Sequence, residues 1–272
     1  MPPLQTRHDY QIASAQAAFE EMLVGKALNE GALRRFLASS SAEDLDKAVL
    51  ILRHCTAIEW RGEKELGEGE QKLVMAVDNF WIKHMISRHA CTFGKQIGGK
   101  TAQVLMERVR EVFGSGSRRL YSQTYRPAVE DHFQNHEWHE AENCSVAGLR
   151  DVLLSWCGHD SAAAKPFVEK LLADEMEILR RVGIYVLGQQ WAALRDLYSK
   201  LLSPELFNSG HLHELYNLLS AHFADLTDSE KAETLETVRQ IPLPTSGNDP
   251  SRSLKPTQHR WLSAIAGKGY VM

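Results

Sequence analysis

A chain of 272 residues that is 43% hydrophobic can bury one long core or two shorter ones. Its formal net charge of −4, with 24% charged residues, lacks the basic footprint of a general nucleic-acid binder. Cys55, Cys91, Cys144 and Cys157 form no CxxC pair, the start carries no apolar leader, and no apolar run approaches the roughly 20 residues of a spanning helix, so the expectation is a reduced, cytoplasmic protein without a membrane role.

In chain order, Ile12, Ala15, Phe19 and Leu23 predict a first helix over Tyr10–Leu23. Leu28, Leu33, Phe36 and Leu37 predict a short second one. Ser40-Ser41-Ala42-Glu43 reads as a capping box opening a helix that runs through Leu45, Val49 and Leu52 to Trp60. Arg61–Glu70 is polar and glycine-containing, a solvated loop. A long helix is expected from Gln71 to His89, with Val74, Val77, Trp81 and Met85 in register, and another through Val104, Leu105, Val109 and Val112. Gly114-Ser115-Gly116-Ser117 ends it as a candidate hinge.

Tyr121–Asn143 carries Val129, Phe133 and Trp138 at spacings that fit one irregular helix or two. Beyond Val146 helices are predicted at Gly148–Trp156, Ala162–Leu172, Asp174–Leu187, Trp191–Leu202, His211–Phe223 and Asp228–Gln240, the last opened by a capping box of Thr227 and Glu230. In Asp174–Leu187, Ile178, Val182 and Tyr185 follow helical period, and Gly183 makes sense only where another helix backbone packs closely. Arg180 and Arg181 share its polar strip, and one of them is expected to bond the turn acid Asp174. Pro242–Pro256 reads as a linker, and Thr257–Ala266 as one more helix with Trp261, Leu262 and Ile265 on its apolar face. No strand is expected. The fold class is all-α, an irregular α-solenoid of antiparallel helix pairs.

Three groups of residues invite a chemical reading. Gly94-Lys95-Gln96-Ile97-Gly98-Gly99-Lys100-Thr101 matches the phosphate-cradling pattern GxxxxGK[ST], which works only when a buried strand precedes the loop. The preceding Ile86–Phe93 is polar for that strand, so a glycine loop between helices is the favoured reading, with a nucleotide-binding protein the alternative. His132, His136, His139 and Cys144 could hold zinc if the histidines share a helical face, against the plainer reading of surface histidines among Glu137, Glu140 and Glu142. Lys95, Lys100, Arg108, Arg110, Arg118, Arg119 and Arg126 make the middle of the chain locally basic. Neighbouring acids favour a solvated face with internal ion pairs over a phosphate site. No catalytic, cofactor-binding or metal residue is assigned.

Two segments, Arg126–Gly188 with its Leu179-Arg180-Arg181 and Leu187-Gly188, and His211–Pro242, together resemble the HEAT-like helical-repeat region of bacterial STAND-type NTPases and related multidomain defence proteins. The resemblance implies a non-enzymatic scaffold or sensor segment that binds a protein partner or the remainder of a larger chain, within an NTPase-linked antiviral defence or signalling protein. It carries over no catalytic residue and no cofactor. The corresponding division is an N-terminal helical segment (1–120), HEAT-like repeats (121–241), a linker (242–256) and a terminal helix (257–272) that reads as the start of a truncated repeat.

Overall fold

The structure is a computed structural model that describes residues 26–62, 71–77, 79–114, 116–135, 140–208, 212–242 and 250–266. The helix expected at Tyr10–Leu23 lies outside the described residues. Helices α1 (Lys26–Leu37) and α2 (Ala42–Cys55) are followed by a hairpin of β1 (Ile58–Gly62) and β2 (Gln71–Met75). Next come the long helix α3 (Asn79–Phe113), the short α4 (Gly116–Leu120) and α5 (Ser122–Tyr125), and an irregular stretch, 126–135. The chain continues through α6 (Glu140–His159), α7 (Ser161–Leu172), α8 (Glu177–Gln189) and α9 (Trp191–Leu194), which passes into a 3-10 turn over Arg195–Leu201. Helices α10 (Pro204–Phe207), α11 (Leu212–His222), α12 (Asp228–Arg239) and α13 (Pro250–Ile265) complete it. The described residues are mostly helical, as the all-α reading requires.

The hairpin corrects the expectation of no strand. Thr56 closes α2 by donating its amide and its hydroxyl to the Leu52 carbonyl. The chain then turns extended, with Ile58 opposite Met75 and Gly62 opposite Gln71 in an antiparallel ladder. Leu73 and Met75 are buried while Val74 between them is half-buried, the alternation of a strand with one covered face. That three-residue alternation was hidden inside a longer run that also fits helical period. The helix expected to reach Trp60 therefore ends at Cys55, and the one expected from Gln71 begins at Asn79.

The long helix α3 absorbs the glycine motif. Its backbone kinks at Ile97 (φ −148°, ψ 35°), beside the Gly98-Gly99 pair, and then resumes. A Cβ on Gly98 would lie 2.3 Å from the Trp156 ring, and one on Gly94 would lie 2.4 Å from Ser155 Oγ and 2.7 Å from the Trp156 amide nitrogen. The glycines therefore let α6 press against α3, the most extensive helix–helix packing in the fold. Phe93, Leu105, Val109 and Phe113 of α3 meet Leu149, Val152 and Leu153 of α6 in a core that continues from Ala32 to Ala264.

Gly183 meets its expected neighbour: its Cβ would sit 3.1 Å from Leu171 Cβ and 3.2 Å from the Leu172 amide nitrogen of α7. Capping chemistry divides. Thr227 and Glu230 make the full reciprocal box at the start of α12. At α2 the cap position is Ser41, one residue later than expected, and its side chain makes no cap bond. Helix α13 begins at Pro250, so the second half of the expected linker is helical, with Pro256 inside the helix. Trp261 is fully buried, its indole N–H donating to the Phe207 carbonyl at 3.0 Å.

Candidate binding cleft

Residues 126–135, neither helix nor strand, must satisfy their backbone polar groups by other means. Three arginines do so. From α8, Arg181 donates through Nη1 to the Arg126 carbonyl (2.8 Å) and through Nη2 to the Pro127 carbonyl (2.7 Å). From α6, Arg150 donates to the Val129 carbonyl (3.0 Å) and to Asp131 (3.1 Å). Arg126 itself reaches the Val129 carbonyl (2.9 Å) and Asn143 Oδ1 (2.8 Å).

Arg181 is the keystone. It is 1% exposed, and its Nε and Nη2 grip both oxygens of Glu214, a fully buried carboxylate on α11, at 2.9 and 2.8 Å. Glu214 Oε1 also accepts the Val129 amide at 3.0 Å, so one ion pair joins α8, α11 and the irregular segment. Burial works against the Arg181 charge, but Glu214 outweighs it and raises the pKa. Arg126 has only the distant, exposed Asp131 at 4.0 Å: burial and the charges of Arg150 and Arg181 push it down to about 10.

This rewrites the expectation for Asp174. Its partner is Arg110 of α3, and its other oxygen accepts the Met176 amide at 2.9 Å. Arg181 instead faces α11, with a carboxylate and two carbonyls to satisfy, because its face of α8 turns inward onto the segment after α5. Spacing alone does not locate such a long-range acid. The one available signal was Glu214 lying inside the apolar run Leu212–Leu219, where an ionised residue needs a partner.

Beside this staple, α8 and α11 leave an open cleft of about 250 Å³. Tyr185 and Gln189 line it from α8, Asn217, Leu218 and His222 from α11, and Glu130 from the irregular segment; among the described residues neither lysine nor arginine does. Glu130 Oε1 lies 2.6 Å from His213 Nε2. Burial alone would raise the Glu130 pKa, but the His213 hydrogen bond and charge bring it below its ordinary 4.5. Burial would lower His213, and Glu130 outweighs it, lifting the imidazole above 6.5. At the far end His222 stacks on Trp191 with ring centroids 4.5 Å apart, and its Nε2 lies 3.0 Å from the Gly188 carbonyl.

The groups singled out in the sequence fall elsewhere. Gly94–Thr101 lies within α3, helical on both sides of the kink, so helix and not strand leads into Gly94, and the phosphate-loop alternative lacks the context it requires. Lys100 bonds Asp46 at 2.5 Å, and Thr101 is buried. For the zinc alternative, His132 sits in the irregular segment instead of on a helix, and His136 and His139 lie outside the described residues. Cys144 is buried in α6, its thiol pushed up to about 12 and thus protonated. Among the described residues no three His, Cys, Asp or Glu side chains gather as a metal site. Much of the basic stretch is taken up in ion pairs, Arg108 with Glu111, Arg110 with Asp174 and Arg118 with Glu142. No described helix is long and apolar enough to cross a membrane.

No protein-family model matches this chain, and no curated protein or solved structure does.

Proposed function

We propose that the chain is a non-enzymatic helical scaffold, an irregular α-solenoid, whose α8–α11 cleft receives a protein partner. The observation that carries this is the use of the buried charges. Arg126, Arg150 and Arg181 all commit hydrogen bonds to carbonyls of one irregular segment, and that segment forms a wall of the open cleft. Burying charge is costly, and such a network fixes geometry more than it adds stability. A rigid concave surface between packed helices is what helical-repeat scaffolds present to partners. The succession α6, α7, α8 and α11, each packed on the next, supports the solenoid reading.

The wider setting, a sensor or scaffold segment of an NTPase-linked defence or signalling protein, rests on the resemblance of Arg126–Gly188 and His211–Pro242. Four cysteines without a disulfide support a reducing, cytoplasmic compartment. The test is photo-crosslinking in the source cells, with benzoylphenylalanine replacing Gln189 at the cleft and, as control, the exposed Glu233 of α12. A discrete protein adduct from position 189 and none from 233 is expected. Equal labelling at both positions, or none at either, would overturn the reading.

A further inference from the structure

We infer that the α8–α11 cleft is a subsite for one basic side chain, an arginine or lysine of the partner; this rests on the scaffold reading above. The cleft's two carboxylates differ in what remains to them. Glu214 is met on both oxygens by Arg181 and by the Val129 amide. Glu130 has no arginine or lysine partner among the described ion pairs, and its companion is His213, which is neutral above its own pKa. The wall thus presents a carboxylate whose one charged companion among the described residues is a titratable imidazole and not a fixed cation, in a concavity that no described lysine or arginine lines. A partly enclosed site strengthens such a charge relative to open water. Tyr185 offers a ring face to a cation, and the amide oxygens of Asn217 and Gln189 can accept its remaining N–H groups. Size points the same way. At about 250 Å³ the cleft falls below the roughly 300–1,000 Å³ of ligand and cofactor pockets, and it suits a single side chain.

The experiment titrates the full ¹⁵N-labelled chain at low salt with N-acetyl-arginine amide, following backbone amides by NMR. The controls are its neutral isostere N-acetyl-citrulline amide and the free polyamine spermidine. Saturable shifts at Tyr185, Gln189 and Asn217 are expected with the arginine compound and not with the citrulline one. Glu130→Gln keeps an acceptor for His213 but removes the charge, and should weaken binding roughly tenfold or more. Asn217→Lys, at an exposed helix position, places a cation in the cleft and should abolish binding while leaving the rest of the spectrum in place. Equal response to citrulline amide, unchanged affinity in both variants, or tighter binding of spermidine at the same residues would overturn the inference. If the arginine compound fails while the crosslink at position 189 persists, the scaffold reading stands and the basic-side-chain subsite alone falls. If both fail, the cleft is not an interface.

Discussion

Arg181 is buried with nearly all its donors occupied, so its removal leaves a charge and several backbone groups without partners. Arg181→Met should destabilise the fold by about 3–5 kcal/mol, the usual cost of breaking a buried ion pair. The informative variant is the double one, Arg181→Met with Glu214→Met. Where a buried pair is self-contained, replacing both partners is often neutral or stabilising. Here the carbonyls of Arg126 and Pro127 and the Val129 amide would still lose their partners, each at about 1–3 kcal/mol if left buried and unsatisfied. Urea unfolding of the double variant is expected to remain well below wild type. Recovery to wild-type stability would show that the arginine serves only its carboxylate.

The Glu130–His213 pair sets a pH signature. His213 titrates above 6.5 in the folded state, so its contribution is complete below 6.5 and is lost as pH rises through the folded value. Glu130 titrates below 4.5, so its contribution is present above 4.5 and is lost as pH falls through its folded value. The pair is strongest between these limits, with Arg181 and Glu214 close by as fixed charges. Measured from about pH 6 to about pH 8, unfolding free energy should fall more steeply in wild type than in His213→Gln. Parallel profiles would mean that the imidazole gains no proton affinity on folding.

At the scale of elements, glycine positions decide how closely helices approach. Gly98→Ala would force a Cβ into the Trp156 ring and should cost about 1–3 kcal/mol or more by overpacking. Trp156→Ala in the same background should recover part of that loss in thermal unfolding. Lys100→Ala, by contrast, removes one exposed ion pair with Asp46 and should change stability by about 1 kcal/mol or less. Gly183→Leu should also destabilise by about 1–3 kcal/mol or more, since the Leu171–Leu172 backbone already touches that face. A melting temperature unchanged from wild type would remove the close α7–α8 approach.

These two glycine sites also show what was legible beforehand. Gly183 stood inside a strong helical stripe, where only a close neighbour explains it, and α7 is that neighbour. Gly94 and Gly98 stood in a polar segment that matches a loop motif, and nothing local reveals Trp156 arriving from α6. Helices α7, α8, α11 and α12 were readable because their apolar periods are long, whereas the helix expected over Trp191–Leu202 is the four-residue α9 running into a 3-10 turn, and α10 had no predicted counterpart. The hairpin was not, because Leu73-Val74-Met75 is too brief to distinguish period two from helical period. The cleft escaped notice for a different reason. Its wall is an irregular segment held by residues from α6, α8 and α11, a long-range arrangement without local periodicity.

For the whole molecule, the question is how a continuous core transmits damage. The apolar cluster runs unbroken from Ala32 to Ala264, yet its principal contacts pass from neighbour to neighbour. Helix α1 meets α2 and α3, α3 meets α6, α8 meets α7 and α11, and α13 meets α11 and α12. On the proposed solenoid reading, stability is close to a sum of local and nearest-neighbour terms, and a defect at one end loosens that end first. Trp261 tests this. Its ring lies against Phe207 with centroids 5.1 Å apart, and it is fully buried. Trp261→Ala should cost about 3–5 kcal/mol in that region. Hydrogen exchange should accelerate across α11, α12 and α13 while α3 and the first half of α6 keep wild-type protection. Because Glu214 is on α11, the cleft would loosen with them, and crosslinking from position 189 should fall although most of the chain stays folded. Uniform loss of protection from α1 to α13 would instead make the molecule one cooperative unit, and the solenoid reading would have to be given up.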